Sequence, residues 1–160
     1  MTATMTATIN HVSVLARDLD DSVAFYRDLF DMEPVPTPNF EVPVQWMQCG
    51  DAQLHLFERE VDAPSYHHFG ITVPDFEAVY RYAVETDCFA NWDDSAPGAL
   101  FELPDGVVQL YINDPAGNLV EVDHPDVTTL DDDLREQITN RSELTSQSGE
   151  AARATLNLRE

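Results

Sequence analysis

His11-Val12-Ser13-Val14-Leu15-Ala16-Arg17-Asp18 returns 57 residues later as His68-Phe69-Gly70-Ile71-Thr72-Val73-Pro74-Asp75. Each phrase opens on a histidine, alternates apolar with small or polar residues as a half-buried strand does, and ends on an aspartate suited to cap a helix. The duplication continues. Each copy runs into an amphipathic stretch with Ala-x-Tyr-Arg, at 24–27 and 78–81, and later reaches a turn before a last strand. That last segment is Gly50-Asp51-Ala52-Gln53-Leu54-His55-Leu56 in the first copy. In the second it is Asp114-Pro115-Ala116-Gly117-Asn118-Leu119-Val120-Glu121-Val122. Aligning 54–56 with 120–122 makes His55 and Glu121 equivalent, 66 residues apart, so the second copy carries about nine extra residues, expected within 91–106.

Successive strand residues face opposite sides of a sheet. With Val12, Val14 and Ala16 under a helix, His11, Ser13 and Leu15 face away from it. Phe69, Ile71 and Val73 likewise take the helix side, leaving His68, Gly70 and Thr72 opposite. In the closing strands Leu54 and Leu56 flank His55, and Val120 and Val122 flank Glu121. Four side chains able to titrate or bind metal, one per strand, are thus expected on the concave, helix-free face.

The rest of the chain fills in around this frame. Asp18 caps a helix with Asp20 and Asp21 in its first turn, and Leu19, Val23, Tyr26 and Phe30 form its stripe. Residues 32–36 read as a short edge strand, because Pro34, Pro36 and Pro38 forbid helix. Residues 44–49 and 52–58 form a hairpin about Gly50-Asp51, and 59–65 link the copies. Asp75 caps the second helix, with Phe76, Val79, Tyr80 and Ala83 inward. Residues 92–106 read as a loop able to lie over the site, 107–112 as strand, and 114–118 as a turn. Beyond Pro125, 130–138 suggest a short acidic helix and 139–160 a mobile or partly helical tail. The modules are therefore 9–63 and 64–125, one domain over 9–125, with 126–160 an acidic, polar extension.

Thirty acidic residues against eight basic ones, all arginine, give a formal charge of −22. Such a field repels nucleic acid and anionic membrane surfaces. Excess carboxylate without lysine points to a high-salt cytosol, where a Debye length of about 3 Å at molar salt removes most self-repulsion. No run is long enough to span a bilayer, and 1–8 lack the regions of a signal peptide, so a cytoplasmic location is expected. Cys49 and Cys88 show neither a zinc nor a disulfide pattern and read as small buried apolar residues.

Imidazole and carboxylate together suit a divalent metal such as Ni, Co, Zn, Mn or Fe. One strand histidine is ordinarily a hydrogen-bonded residue. A histidine at the same offset in both copies, plus ligating residues at equivalent places in both closing strands, is hard to obtain from packing needs. The expected ligands are His11, His55, His68 and Glu121, with His55 the least secure. His67 points to the opposite face in a regular strand, and His124 reads as a solvated loop residue.

These residues carry a resemblance. The chain is similar to the vicinal oxygen chelate superfamily, also called the glyoxalase, bleomycin-resistance and extradiol-dioxygenase family, in 11–18, in Ser22-Val23-Ala24-Phe25-Tyr26-Arg27 with Leu29, in the His68 strand, and in 114–121. The match spans 9–123. The resemblance implies an α+β fold of two βαβββ modules whose strands form an incomplete eight-stranded barrel around one metal. It also implies that His11, His68 and Glu121 occupy ligand positions, and that His55 stands where glyoxalase I enzymes usually place Glu. A neutral imidazole there raises the site's net charge by one unit, favouring an anionic enediolate or alkoxide.

The expected activity is that of a glyoxalase I-like lyase or isomerase acting on a small carbonyl, a 2-oxoaldehyde or its thiol adduct, by enediolate stabilisation. Glu121 is the candidate proton carrier. Arg17 and Arg59 near strand ends, with Trp46, Phe57 and Tyr111, are the candidate substrate contacts. An extradiol-type ring-cleaving dioxygenase fits if His55 lies outside the ligand set, since two His and one Glu suit Fe(II). A thiol transferase and a non-catalytic small-molecule-binding protein complete the alternatives. Retention of every ligand position argues against the last. A homodimer is the expected assembly.

Overall fold

The computed structural model describes residues 6–90 and 96–156. The remainder of the leader, Trp92 with the start of the expected loop, and the last four residues of the tail lie outside the described residues. The chain divides into two compact units: residues up to Ala63 with Pro115–Gly117, and Pro64–Asp114 with the chain from Asn118 onward.

The first unit runs β1 (His11–Ala16), α1 (Leu19–Phe30), β2 (Glu33–Val35), β3 (Val44–Cys49) and β4 (Ala52–Glu58). Its strands form one open sheet in the order β1-β4-β3-β2, with β1 parallel to β4 and the other pairs antiparallel. Asp18 caps α1 by accepting from the backbone N–H of Asp21 at 3.0 Å, and Asp20 and Asp21 complement the helix dipole. The helix buries Ser22, Phe25 and Tyr26 most deeply. Leu19, Val23 and Phe30 from the expected stripe are only partly covered, so the inner face is rotated toward the Phe25 side, where Phe25 and Tyr26 meet edge to face. The proline-bounded edge strand and the hairpin are as expected, with Gly50 supplying the left-handed turn at φ 57°.

The second unit repeats the plan: β5 (His68–Thr72), α2 (Phe76–Thr86), β6 (Leu100–Glu102), β7 (Val108–Asn113) and β8 (Leu119–His124). Four strands of its sheet are ordered β5-β8-β7-β6, and a fifth, from the tail, pairs with β6. Asp75 caps α2 through the Ala78 N–H at 3.0 Å, and both helices end on an aspartate in the left-handed region, Asp31 and Asp87, each at φ 55°. Phe76, Val79 and Ala83 are buried as expected, whereas Tyr80 is only partly covered because its hydroxyl reaches Gln137 at 2.9 Å. The Asp114–Asn118 turn is closed by the Asp114 carboxylate, which accepts from the backbone and side-chain amides of Asn118.

Three expectations need correction. Residues 92–106 are not all loop, because Leu100–Glu102 pairs with β7 as β6. The proposed helix over 130–138 shrinks to α3 (Asp132–Arg135), with Leu130 and Leu134 buried. The tail contributes β9 (Ile138–Asn140), parallel to β6, followed by α4 (Arg141–Leu144). A three-residue strand has no periodicity to read; β9 exists because β6 would otherwise leave an edge of unpaired amides. Among the described residues β9 adds a fifth strand to the second sheet, giving nine in two sheets, neither of which closes on itself.

Leu110 on β7 is fully buried, among Val108, Ile112, Val120 and Val122 on the helix side of this sheet. Leu110→Ala should destabilise the protein by about 2–5 kcal/mol through lost burial and a residual cavity. Chemical denaturation checks this through a lowered midpoint at an unchanged slope.

Candidate functional site

Register puts the expected site residues on the faces predicted for them. In the first sheet His55 lies between Ser13 of β1 and Trp46 of β3. In the second, Glu121 lies between Gly70 of β5 and Tyr111 of β7. Ser13 and Gly70 each stand two residues past the leading histidine, so His55 and Glu121 occupy equivalent places in the two sheets, opposite Trp46 and Tyr111 respectively.

In the first unit the His55 ring is sandwiched. His11 stacks on one side at 4.2 Å between centroids and 16° between planes, and Trp46 on the other at 4.2 Å and 5°. Phe40 links Trp46 to Phe57 and extends the aromatic row. Burial, then the neighbouring His11, lowers the His55 pKa. His55 Nε2 lies 2.9 Å from Gln53 Oε1, and His11 Nδ1 lies 2.5 Å from Asn10 Oδ1. Both partners are acceptors, so the facing ring nitrogens carry the protons. His11 therefore keeps its Nε2 lone pair, and His55 keeps Nδ1.

In the second unit His68 Nδ1 donates to the Tyr66 carbonyl at 3.0 Å, and its Nε2 lies 3.0 Å from Glu121 Oε2. A carboxylate oxygen only accepts, so a proton or a cation belongs between those two atoms. Glu121 is buried and held by donors: Gln109 Nε2 to Oε1 at 2.5 Å and the Tyr111 hydroxyl to Oε2 at 2.9 Å. Burial, then the Glu121 charge, pushes the Tyr111 pKa up. Asp123 shares this face with Glu121. Burial, then the Glu121 charge, pushes the Asp123 carboxyl up to about 8, so this acid holds a proton at neutral pH beside its ionised neighbour. Gly70 makes the room: a Cβ there would stand 3.1 Å from Asp123 Oδ2 and 3.9 Å from Glu121 Oε1.

The donor set suits a divalent metal. His11 and His68, the repeat-related pair, both commit Nδ1 to an acceptor, the arrangement that outer partners impose on metal-binding histidines. A hard carboxylate held by two donors beside one of them completes the chemistry. Within the units the expected ligands come as two pairs, His11 with His55 and His68 with Glu121. Among the described residues no three His, Cys, Asp or Glu side chains group closely enough to hold a metal ion.

Other expected contacts fare differently. Arg17 is exposed and ion-paired with Asp62, an arrangement worth little in solvent. Arg59 is exposed, and its backbone N–H bonds to the Ala16 carbonyl at 3.0 Å. His67 is exposed. His124 is not a solvated loop residue: it ends β8, half-buried, with Nε2 2.6 Å from the Thr129 hydroxyl and its ring near Phe76. Cys49 and Cys88 are free and only partly buried. Gln109 and Asp123 escaped the sequence reading, although both sit at period two from Tyr111 and Glu121 on the same face.

The family follows from the comparisons. The Glyoxalase/Bleomycin resistance protein/Dioxygenase superfamily model matches residues 8–122, and the chain belongs to that superfamily. Among solved structures it is similar to the lactoylglutathione lyase of Agrobacterium tumefaciens, at 25% identity over 78% of this chain and 98% of that one, with a TM-score of 0.53. It is also similar to the oxidase ChaP-H2, at 23% identity over 75% and 94% of the two chains with a TM-score of 0.61. The fosfomycin resistance protein FosX of Listeria monocytogenes, in a structure with Mn(II) and 1S,2S-dihydroxypropylphosphonic acid, shares the fold at 12% identity over 78% and 96%, with a TM-score of 0.60. No curated protein matches the chain. Among the described residues no helix is long and apolar enough to cross a membrane.

Proposed function

We propose that this protein is a metal-dependent lyase or isomerase of the glyoxalase type, acting on a small 2-oxoaldehyde or its thiol adduct, with His68 and Glu121 as the metal ligands that the second unit supplies. The observation that carries this reading is the buried Glu121 carboxylate, held by Tyr111 and Gln109 with one oxygen 3.0 Å from His68 Nε2. His68 and Glu121 would hold a divalent ion, which would supply Lewis acidity toward a substrate carbonyl oxygen. Glu121 moves the proton between the adjacent carbons, being the carboxylate nearest His68. Tyr111 and Gln109 position it, and protonated Asp123 keeps a second negative charge away from the developing enediolate. Trp46 and Phe57 offer apolar contact to the substrate. Metal analysis of protein purified in high salt, followed by methylglyoxal with several low-molecular-weight thiols, tests the reading. Stoichiometric metal with thiol-dependent loss of the oxoaldehyde supports it, and a metal-free protein that still binds bulky ligands sinks it.

One observation favours a second reading. His55 Nε2 spends its proton on Gln53, unlike His11 and His68, which fits a set of two His and one Glu suited to Fe(II) and ring-cleaving dioxygenation. His55→Ala separates the two. As a fourth ligand its loss weakens metal binding beyond the roughly 100-fold that outer partners account for, whereas a supporting His55 costs about 10- to 100-fold or less. Competitive chelator titration reads the difference.

A further inference from the structure

Arg141 lies outside the superfamily match, in the extension after β8. Thr139 of β9 is the cross-strand partner of Phe101. Two residues on, Arg141 returns to the same face and lays its guanidinium over the Phe101 ring, 3.9 Å from the centroid. Phe101 packs in one apolar cluster with Ala90, Tyr111 and Leu119, and the Tyr111 hydroxyl is bonded to Glu121. Arg141 is near enough for its charge to act on the Tyr111 phenol, against the larger effect of burial.

In a chain with thirty acidic residues, Arg17, Arg27, Arg81 and Arg135 all pair with carboxylates. Arg141 makes no ion pair among the described residues. A guanidinium held by its flat face keeps its N–H edge free, and that edge matches the two oxygens of a carboxylate or phosphonate. A cation with no structural carboxylate, stacked on the ring that packs with Tyr111, has a use if the substrate brings the negative charge.

We propose that Arg141 is the anion anchor of the Glu121 face, taking an oxyanion group of the substrate edge-on while the substrate's carbon skeleton lies on Phe101 and Tyr111. The inference deepens the proposed function and rests on its reading of Glu121 as the reacting group.

The test uses the full chain in chelator, at constant ionic strength, titrated separately with inorganic phosphate and acetate while arginine side-chain Nε–H resonances are followed by NMR. One resonance, identified by its loss in Arg141→Gln, should shift and saturate. Arg141→Gln should weaken binding roughly 10- to 100-fold, the worth of one or two charge-assisted hydrogen bonds. Arg141→Lys should keep part of it, and Arg27→Ala, on the exposed face of α1, all of it. Tighter acetate binding identifies a carboxylate substrate, and tighter phosphate binding a phosphonate. The proposal is overturned if no arginine shift saturates, if chloride saturates the same shift equally, or if Arg141→Gln binds like wild type. Should Arg141→Gln disturb the docking of the extension, seen as wider spectral change, Arg141→Lys decides: undiminished bidentate-like affinity with lysine also overturns it. No metal or turnover enters this titration, so failure of the lyase reading leaves it standing, and an active lyase with a flat titration removes only the anchor.

Discussion

Glu121→Gln should abolish both stoichiometric metal and turnover while the protein stays folded. The substitution keeps the volume but not the chemistry. Tyr111 and Gln109 both donate to this side chain, one to each oxygen, and an amide offers only one acceptor oxygen. With its oxygen toward Gln109 the amide turns its N–H toward the Tyr111 hydroxyl, which accepts as well as donates, so the fold is kept at a cost of about 1 kcal/mol for the exchanged hydrogen bond. The same change removes the anionic ligand beside His68, and metal affinity should fall beyond the roughly 100-fold that loss of an outer partner causes. Elemental analysis after gel filtration, with a thermal melt of the same sample, reads both effects. His67→Ala is the control, because that side chain is exposed and should change neither. A Glu121→Gln protein that retains one metal per chain and full turnover removes the carboxylate from the site.

Chelation is the second large effect. Metal-stripped protein should lose turnover to background yet keep its cooperative melt, since each unit has its own buried core: Leu54, Leu56 and Met47 in the first, Leu110, Ile112 and Val120 in the second. Ligand linkage predicts a lowered Tm, by the equivalent of about 2.7 kcal/mol when free metal had stood at a hundredfold its Kd. Restoration identifies the chemistry. Recovery with Ni, Co, Zn or Mn and no oxygen uptake supports the lyase, because proton transfer needs only a Lewis acid. Recovery confined to Fe(II), with oxygen consumed, transfers the assignment to the dioxygenase reading. Unchanged turnover after complete stripping refutes both.

The duplicated phrase made much of this legible. Period two in 11–16 and 68–72 assigned faces that the register bears out, and the equivalence of His55 with Glu121 emerges in the matched pairings to Ser13 and Gly70. Asp18 and Asp75 were readable as caps because a side-chain acceptor three residues before an unpaired N–H is a local device. Less was legible where partners are distant. Nothing local marks Leu100–Glu102 or Ile138–Asn140 as strands, each made by pairing across many intervening residues. His124 looked solvated after its strand, and it is half-buried because Thr129 and Phe76 fold against it.

By itself, the sequence determined the two-module plan, the direction in which each candidate ligand points and the acidic surface, since strand alternation, helix caps and charge are properties of neighbouring residues. Only the tertiary structure decided which partner each histidine nitrogen meets, why Asp123 keeps its proton, and that a cation from the tail lies on Phe101. Those depend on atoms brought together from remote parts of the chain, where burial and hydrogen bonding replace water.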